Sequence, residues 1–358
     1  MRQDSYGKLC YALGLITAAL LYLVFSLSIK RPGPPPSVHS AARSAPAPNT
    51  KAMIYLPADI LAELIRLRGS IDNAGNPTEA EPHDTIMTEP AAVLGWVLRP
   101  SVRINGYMLR SQTSLNFWTP VLYLNAVSQL SDKLTRYLQE QARLKFSMST
   151  DENGFRKTLP LVEAQKKILI VGDSVAFGLG VNDEDTVASR LQRLVGNSYR
   201  IVNAAVGGYD GAQAGKMAQK LSAADDFSCL IYVAYQNDFE PAGGVTGVLG
   251  RIAAVSERFK KNVIVCFQSS LMHCEPDMFL DFVARNKVNH LQQEVRTMSG
   301  SLGFSYCDWT DITDAFQAGQ KSLFVRFSLY NDHCHLSPQG NELLAQALFK
   351  RLQELKLL

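Results

Sequence analysis

A chain of 358 residues with a net charge of +3 and 19% charged residues has room for one large domain plus an appendage, and carries no basic field of the kind that binds nucleic acid. Nucleic acid is therefore excluded as an expected partner, and no internal repeat is evident.

The first element is the uncharged run Leu9 to Ile29. At about 1.5 Å per residue, a helix of that length matches a hydrocarbon core of roughly 30 Å, so residues 1–29 are expected to form a single transmembrane anchor. A cleaved signal peptide is the alternative. The run is long for one, and Pro32, Pro34, Pro35 and Pro36 stand where a small-residue cleavage site belongs. Arg2 and Lys8 on one side are balanced by Lys30 and Arg31 on the other, so charge leaves the orientation open. Residues 30–50 are rich in Pro, Ala and Ser and cannot bury enough surface to fold, which makes them a tether.

Residues 51–165 read as an extension with helical segments. A short amphipathic helix is expected over Pro57 to Leu67, with Pro57 at a first helical position and Gly69 at the stop. Val127, Leu130, Leu134 and Leu138 share a helical face and predict a helix over about Pro120 to Arg143. Its charges, Asp132, Lys133, Arg136, Glu140 and Arg143, argue against a second span. Two further segments, Leu94-Gly95-Trp96-Val97-Leu98-Arg99-Pro100 and Asp151-Glu152-Asn153-Gly154-Phe155-Arg156, admit a structural reading. Gly154 takes a turn, Phe155 packs on a sheet, and Arg156 caps or pairs locally.

From Lys166 the pattern becomes regular. Apolar strands at 168–171, 200–205, 229–234, 263–267 and 304–307 alternate with helical stretches near 186–195, 212–222, 245–259, 278–298 and 340–355. Such alternation specifies right-handed βαβ units and a parallel sheet covered on both faces. Residues 166–358 are thus expected to form an α/β domain, a three-layer α/β/α sandwich on a five-stranded parallel sheet of flavodoxin-like type.

The first of these strands ends in Gly172-Asp173-Ser174, and Asp332-His333-Cys334-His335 follows much later in the chain. Serine is a weak nucleophile that needs a base and an orienting carboxylate, and an Asp-x-x-His loop supplies both. Asp332 reaches His335 from within one loop, which ranks His335 above His333 as the base. Asn203-Ala204-Ala205-Val206-Gly207-Gly208 and Tyr235-Gln236-Asn237-Asp238 each follow an apolar run, so both belong at the C-terminal edge of the sheet, where open α/β folds place their sites.

The order Gly-Asp-Ser, Gly, Asn-Asp, Asp-x-x-His resembles the SGNH/GDSL hydrolase superfamily, and the resemblance covers residues 166–356. It implies Ser174 as nucleophile and Asp332 with His335 as acid and base. Gly208 and Asn237 become oxyanion-hole donors alongside the amides at Ser174. Gly207 is the alternative donor to Gly208. Tyr235 departs from the family, which often has glycine two places before the asparagine. The 94–100 and 151–156 segments resemble the extension of a membrane-associated branch, and the many exported members place the domain outside the cytoplasmic membrane, tethered by Leu9 to Ile29.

The expected activity is that of a serine esterase on small acyl esters, with O-acetyl groups of an envelope or exported polysaccharide as the substrate. The alternatives are an O-acyltransferase, a lipid esterase, or a catalytically silent binding component of an envelope assembly. No cofactor is expected. Gly172, Gly178 and Gly180 lack the Gly-Lys-Ser/Thr of a phosphate-binding loop. His273-Cys274 with His333-Cys334-His335 is too closely spaced to favour zinc, so no metal is expected either. Of the 6 cysteines, Cys10 reads as an apolar residue of the span, and Cys229 and Cys266 as buried thiols. In an oxidising compartment Cys334 has Cys274, or its rival Cys307, as a bridge partner, the alternative being that all are free.

Overall fold

The computed structural model describes residues 88–109, 121–123, 142–240, 243–271, 282–320, 325–332 and 334–358. The expected membrane span, the tether, the Pro57 to Leu67 helix, His273, Cys274 and His333 lie outside these residues. Among the described residues no helix is long and apolar enough to cross a membrane.

The extension, expected to be helical, forms two small antiparallel sheets in its described part. β1 (Thr88–Ala91) and β2 (Gly95–Leu98) make a hairpin. β3 (Arg103–Leu109), β4 (Val121–Tyr123) and β5 (Ala142–Ser149) make a second sheet with β3 in the centre. The helix expected over Pro120 to Arg143 is corrected at both ends, where the chain is strand, and residues 124–141 between them lie outside the described set. The physical reason is visible in β5. Phe146 and Met148 are buried, whereas Lys145 is exposed and Ser147, between them, is half-buried, and this period of two is that of a strand.

The main sheet begins with β6 (Lys167–Gly172), followed by the single turn α1 (Ser174–Phe177), α2 (Val187–Val195) and β7 (Arg200–Asn203). The chain continues through α3 (Gly211–Ala224), β8 (Cys229–Ala234), α4 (Gly244–Val255), β9 (Val263–Phe267) and α5 (Phe282–Ser301). It closes with β10 (Ser305–Asp308), α6 (Trp309–Ala318) and α7 (Pro338–Glu354). The strands are all parallel, in the order β10-β9-β8-β6-β7, which is the flavodoxin-like order. This is the α/β fold that the alternation predicts.

Right-handed crossovers then fix the layers. The step from β6 to β7 runs one way along the sheet and puts α2 on one face. Every later step runs the other way and puts α3, α4 and α5 on the opposite face. α7 packs against α2, and α3 against α4. With both faces covered, Ile168 to Val171 are completely buried, as are Cys229 to Ala234, and each large aliphatic side chain among them contributes about 1.5–3 kcal/mol. The reversal of direction falls at β6. A crevice therefore opens at its C-terminal end, where open α/β sheets bind ligands.

Candidate active site

Ser174 opens α1 at that point. Gly172 precedes it because a Cβ there would lie 2.4 Å from the Val233 carbonyl oxygen and 2.8 Å from the Ala176 Cβ, so only glycine lets the strand turn so closely against β8. Asp173 caps the turn, its carboxylate accepting from the Val175 N–H at 2.8 Å. Burial pushes this carboxyl up to about 6. The buried Asn203, at the end of β7, donates from Nδ2 to the Ala176 carbonyl at 3.0 Å. The short turn is thereby held from both sides, and its first amide, that of Ser174, has no intrahelical partner.

Residues 330–332 and 334–337 bring His335 to Ser174. His335 Nε2 lies 2.9 Å from Ser174 Oγ, and His335 Nδ1 lies 2.7 Å from Asp332 Oδ2. The other Asp332 oxygen accepts from the Cys334 and His335 backbone N–H groups at 2.9 and 2.8 Å, so the carboxylate organises the loop as well as the ring. Outside support comes from Asn331, whose Nδ2 donates to the Gly180 carbonyl at 3.1 Å, and from Gln268, whose Nε2 donates to the Cys334 carbonyl at 3.0 Å. Ser337 then caps α7 by accepting from Gly340 N–H at 3.2 Å.

Electrostatics assign the protons. Burial works to raise the Asp332 carboxyl, but the His335 ring and the two backbone N–H groups bring it down to about 2. An ionised Asp332 requires a proton on Nδ1, which leaves Nε2 of a neutral ring as the acceptor for the Ser174 hydroxyl. Burial disfavours the imidazolium, yet Cys334 and Asp332 beside it outweigh burial and raise His335 well above the usual histidine value. Burial pushes the Cys334 thiol up, against the pull of His335 beside it.

Of the expected site residues, the structure thus brings Ser174, Asp332 and His335 into one hydrogen-bonded chain. Gly208 lies on an exposed turn after β7, with φ +78°. Asn237 lies on the helical turn Gln236–Phe239 after β8, the strand beside β6, and its side chain is exposed and makes no hydrogen bond among the described residues. Its neighbour Asp238 is buried and accepts from the Tyr232 hydroxyl at 2.8 Å and the Tyr235 N–H at 3.1 Å, which fixes the turn beneath Asn237. Tyr235, the departure from the family pattern, is buried and precedes this turn. Asp332, Cys334 and His335 offer metal-type ligand atoms within 4.8 Å of one another. Those atoms already face each other, with Cys334 Sγ 3.6 Å from the same His335 Nδ1 that bonds Asp332.

Among the described residues the Cys334–Cys307 bridge is not formed, and Cys274 lies outside them. Cys334 and Cys307 are free thiols, as are Cys229 and Cys266, and hydrogen bonds from Asn331 and Gln268 hold the loop instead. Sequence reasoning missed Gln268 and Asn331, and it gave Asn203 no role. Each is a polar side chain at a strand end or loop, with no local pattern to mark it. A cavity of about 620 Å³ opens between β2, β7 and α3, lined in part by Val97, Phe155, Arg200 and Met217. Neither Ser174 nor His335 lines it.

No family model matches the chain, and no curated protein matches it. Solved structures do. A lipolytic protein of the G-D-S-L family from Veillonella parvula is 17% identical over 53% of this chain and 97% of its own, with a TM-score of 0.39. Axe2, an acetylxylan esterase from Geobacillus stearothermophilus, is 14% identical over 53% of this chain and 94% of its own, with a TM-score of 0.41. A carbohydrate acetylesterase family member from Sinorhizobium meliloti is 15% identical over 53% of this chain and 98% of its own, with a TM-score of 0.40.

Proposed function

We propose that this protein is a serine esterase of the SGNH type that hydrolyses small acyl esters. The observation that carries the reading is the chain of contacts Ser174 Oγ to His335 Nε2 at 2.9 Å and His335 Nδ1 to Asp332 at 2.7 Å. Neutral His335 takes the hydroxyl proton as Ser174 Oγ attacks the ester carbonyl, and Asp332 stabilises the imidazolium that forms. The negative charge on the carbonyl oxygen is met by the amides of Ser174 and Gly208 and by the Asn237 carboxamide. The imidazolium returns its proton to the leaving alcohol as the carbon–oxygen bond breaks. Water, deprotonated by His335, then attacks the acyl-enzyme, and the imidazolium returns that proton to Ser174 Oγ as the acyl–oxygen bond breaks and the acid leaves.

In this reading Leu9 to Ile29 is an uncleaved, single-pass anchor in the cytoplasmic membrane, residues 30–50 are its tether, and the catalytic domain lies outside that membrane. An O-acetyl group on an envelope or exported polysaccharide is the substrate that such a placement presents. The test is turnover of p-nitrophenyl acetate by the wild-type protein and by Ser174→Ala. Turnover lost in a variant that still folds supports the proposal, and turnover retained by the variant removes Ser174 as the nucleophile.

A further inference from the structure

Trp96 lies outside the Ser174–His335–Asp332 chain, yet it bonds the turn that carries Gly208. Its ring stands edge-on to Tyr209, with centroids 5.6 Å apart and planes at 66°. The Tyr209 hydroxyl donates to the Trp96 carbonyl at 2.6 Å, and Gln213 Nε2 donates to the Leu94 carbonyl at 2.7 Å. Within this frame the Trp96 indole Nε1–H donates to the Gly207 carbonyl at 3.3 Å.

That carbonyl belongs to the middle peptide of a turn running from Val206 to Tyr209, closed by Tyr209 N–H donating to the Val206 carbonyl at 3.2 Å. Gly208 has φ +78° while Gly207 has no positive φ, which defines a type II turn and explains the glycine at its third position. The type I form differs chiefly by a flip of the middle peptide. Such a flip reverses the Gly207 C=O and the Gly208 N–H together, because a trans peptide holds the two in opposite directions. A carbonyl held toward Trp96 therefore aims the Gly208 N–H away from Trp96. This amide donates to no acceptor among the described residues, and the turn adjoins the nucleophile, since a Cβ on Gly207 would lie 4.0 Å from the Ser174 Cβ.

We propose that Trp96 is a positioning residue whose indole N–H locks the Gly207–Gly208 peptide in the orientation that presents the Gly208 amide to the developing oxyanion. The proposal rests on the esterase reading above and extends the machinery to the β1–β2 hairpin, which precedes the catalytic domain in sequence. A donor fixed before the reaction costs no reorganisation in the transition state, whereas a turn free to flip presents it only part of the time.

The test uses two variants of the full chain. Trp96→Phe keeps a ring against Tyr209 and removes the donor. Trp96→benzothienylalanine keeps the bicyclic shape and replaces the N–H with sulfur. Both are expected to lower kcat on p-nitrophenyl acetate by roughly 10- to 10²-fold, the scale of a misplaced catalytic group, with KM and the thermal midpoint unchanged. That split marks a contact used in the transition state and not in substrate binding. An active wild type matched by both variants overturns the role of Trp96 alone, as does a fall in kcat that tracks an equal loss of folded protein. A folded wild type inert to both the ester and a fluorophosphonate overturns the esterase reading itself, and the Trp96 proposal with it.

Discussion

Arg156 offers the sharpest energetic prediction, because its guanidinium is completely buried and its partners are known. It donates to the carbonyls of Phe177 and Ser149 at 3.3 Å and of Val181 at 3.0 Å, pairs with the Asp183 carboxylate, and stands 5.1 Å from the centre of the Phe177 ring. Arg156→Met keeps much of the stem and removes every one of these bonds. The Ser149 carbonyl keeps the Lys157 N–H at 2.8 Å, and Asp183 keeps the Ser149 N–H at 2.8 Å. The carbonyls of Phe177 and Val181 are then left buried without this donor, at about 1–3 kcal/mol each, and Asp183 loses its counter-ion. Breaking a buried pair in this way costs about 3–5 kcal/mol, a large share of the roughly 5–15 kcal/mol that holds a domain folded. Urea unfolding of wild type and variant reads the difference directly. Arg156→Lys keeps the charge without the planar fork and should recover only part of the loss. A variant Arg156→Met within about 1 kcal/mol of wild type would refute the reasoning, because the orphaned carbonyls would then have found other partners.

Asn237→Ala should fold normally and lose roughly 10² to 10³ in kcat on a short ester, the usual effect of removing one preorganised donor; a change confined to KM would make Asn237 a binding residue. Because His335 must be neutral to accept the Ser174 proton and its pKa is raised well above the histidine value, the rate should climb with pH along a limb above the ordinary histidine range. The stability gained from the His335–Asp332 pair is full between the ordinary Asp value of 3.8 and about 6.5; it is lost as pH rises through the raised His335 value and as pH falls through the Asp332 value of about 2. Asp332→Asn should move the limb down toward the ordinary value, and an unmoved limb would detach it from His335. For topology, reporter fusions after residue 50 should be active outside the cytoplasmic membrane, and the chain should stay with the membrane fraction; fusions active only in the cytoplasm would reverse the orientation.

Much of the sheet was legible because its chemistry is local. Ile168 to Val171 and Cys229 to Ala234 read as strands covered on both faces, since only such strands carry unbroken apolar runs. Asp332 and His335 were legible as a pair because three residues of one loop separate them. The two ends of the helix expected over Pro120 to Arg143 were misread. The helical spacing of Val127 to Leu138 drew attention from Phe146 and Met148, whose alternation with polar neighbours marks β5. Arg156 was expected to cap or pair locally, but its partner Asp183 lies 27 residues further on, and its bonds to Phe177 and Val181 join it to the segment that follows Ser174. The contact between Trp96 and Gly207 joins residues far apart in the chain, so neither sequence neighbourhood signals it.

The central claim is that Ser174 is a nucleophile activated by His335, and covalent capture tests it without a choice of substrate. A fluorophosphonate incubated with the folded wild-type protein, followed by peptide mapping, should place the phosphonyl group on Ser174, with labelling lost in Ser174→Ala and strongly slowed in His335→Ala. Folded wild-type protein that takes up no label, or takes it up at another residue, would contradict the account.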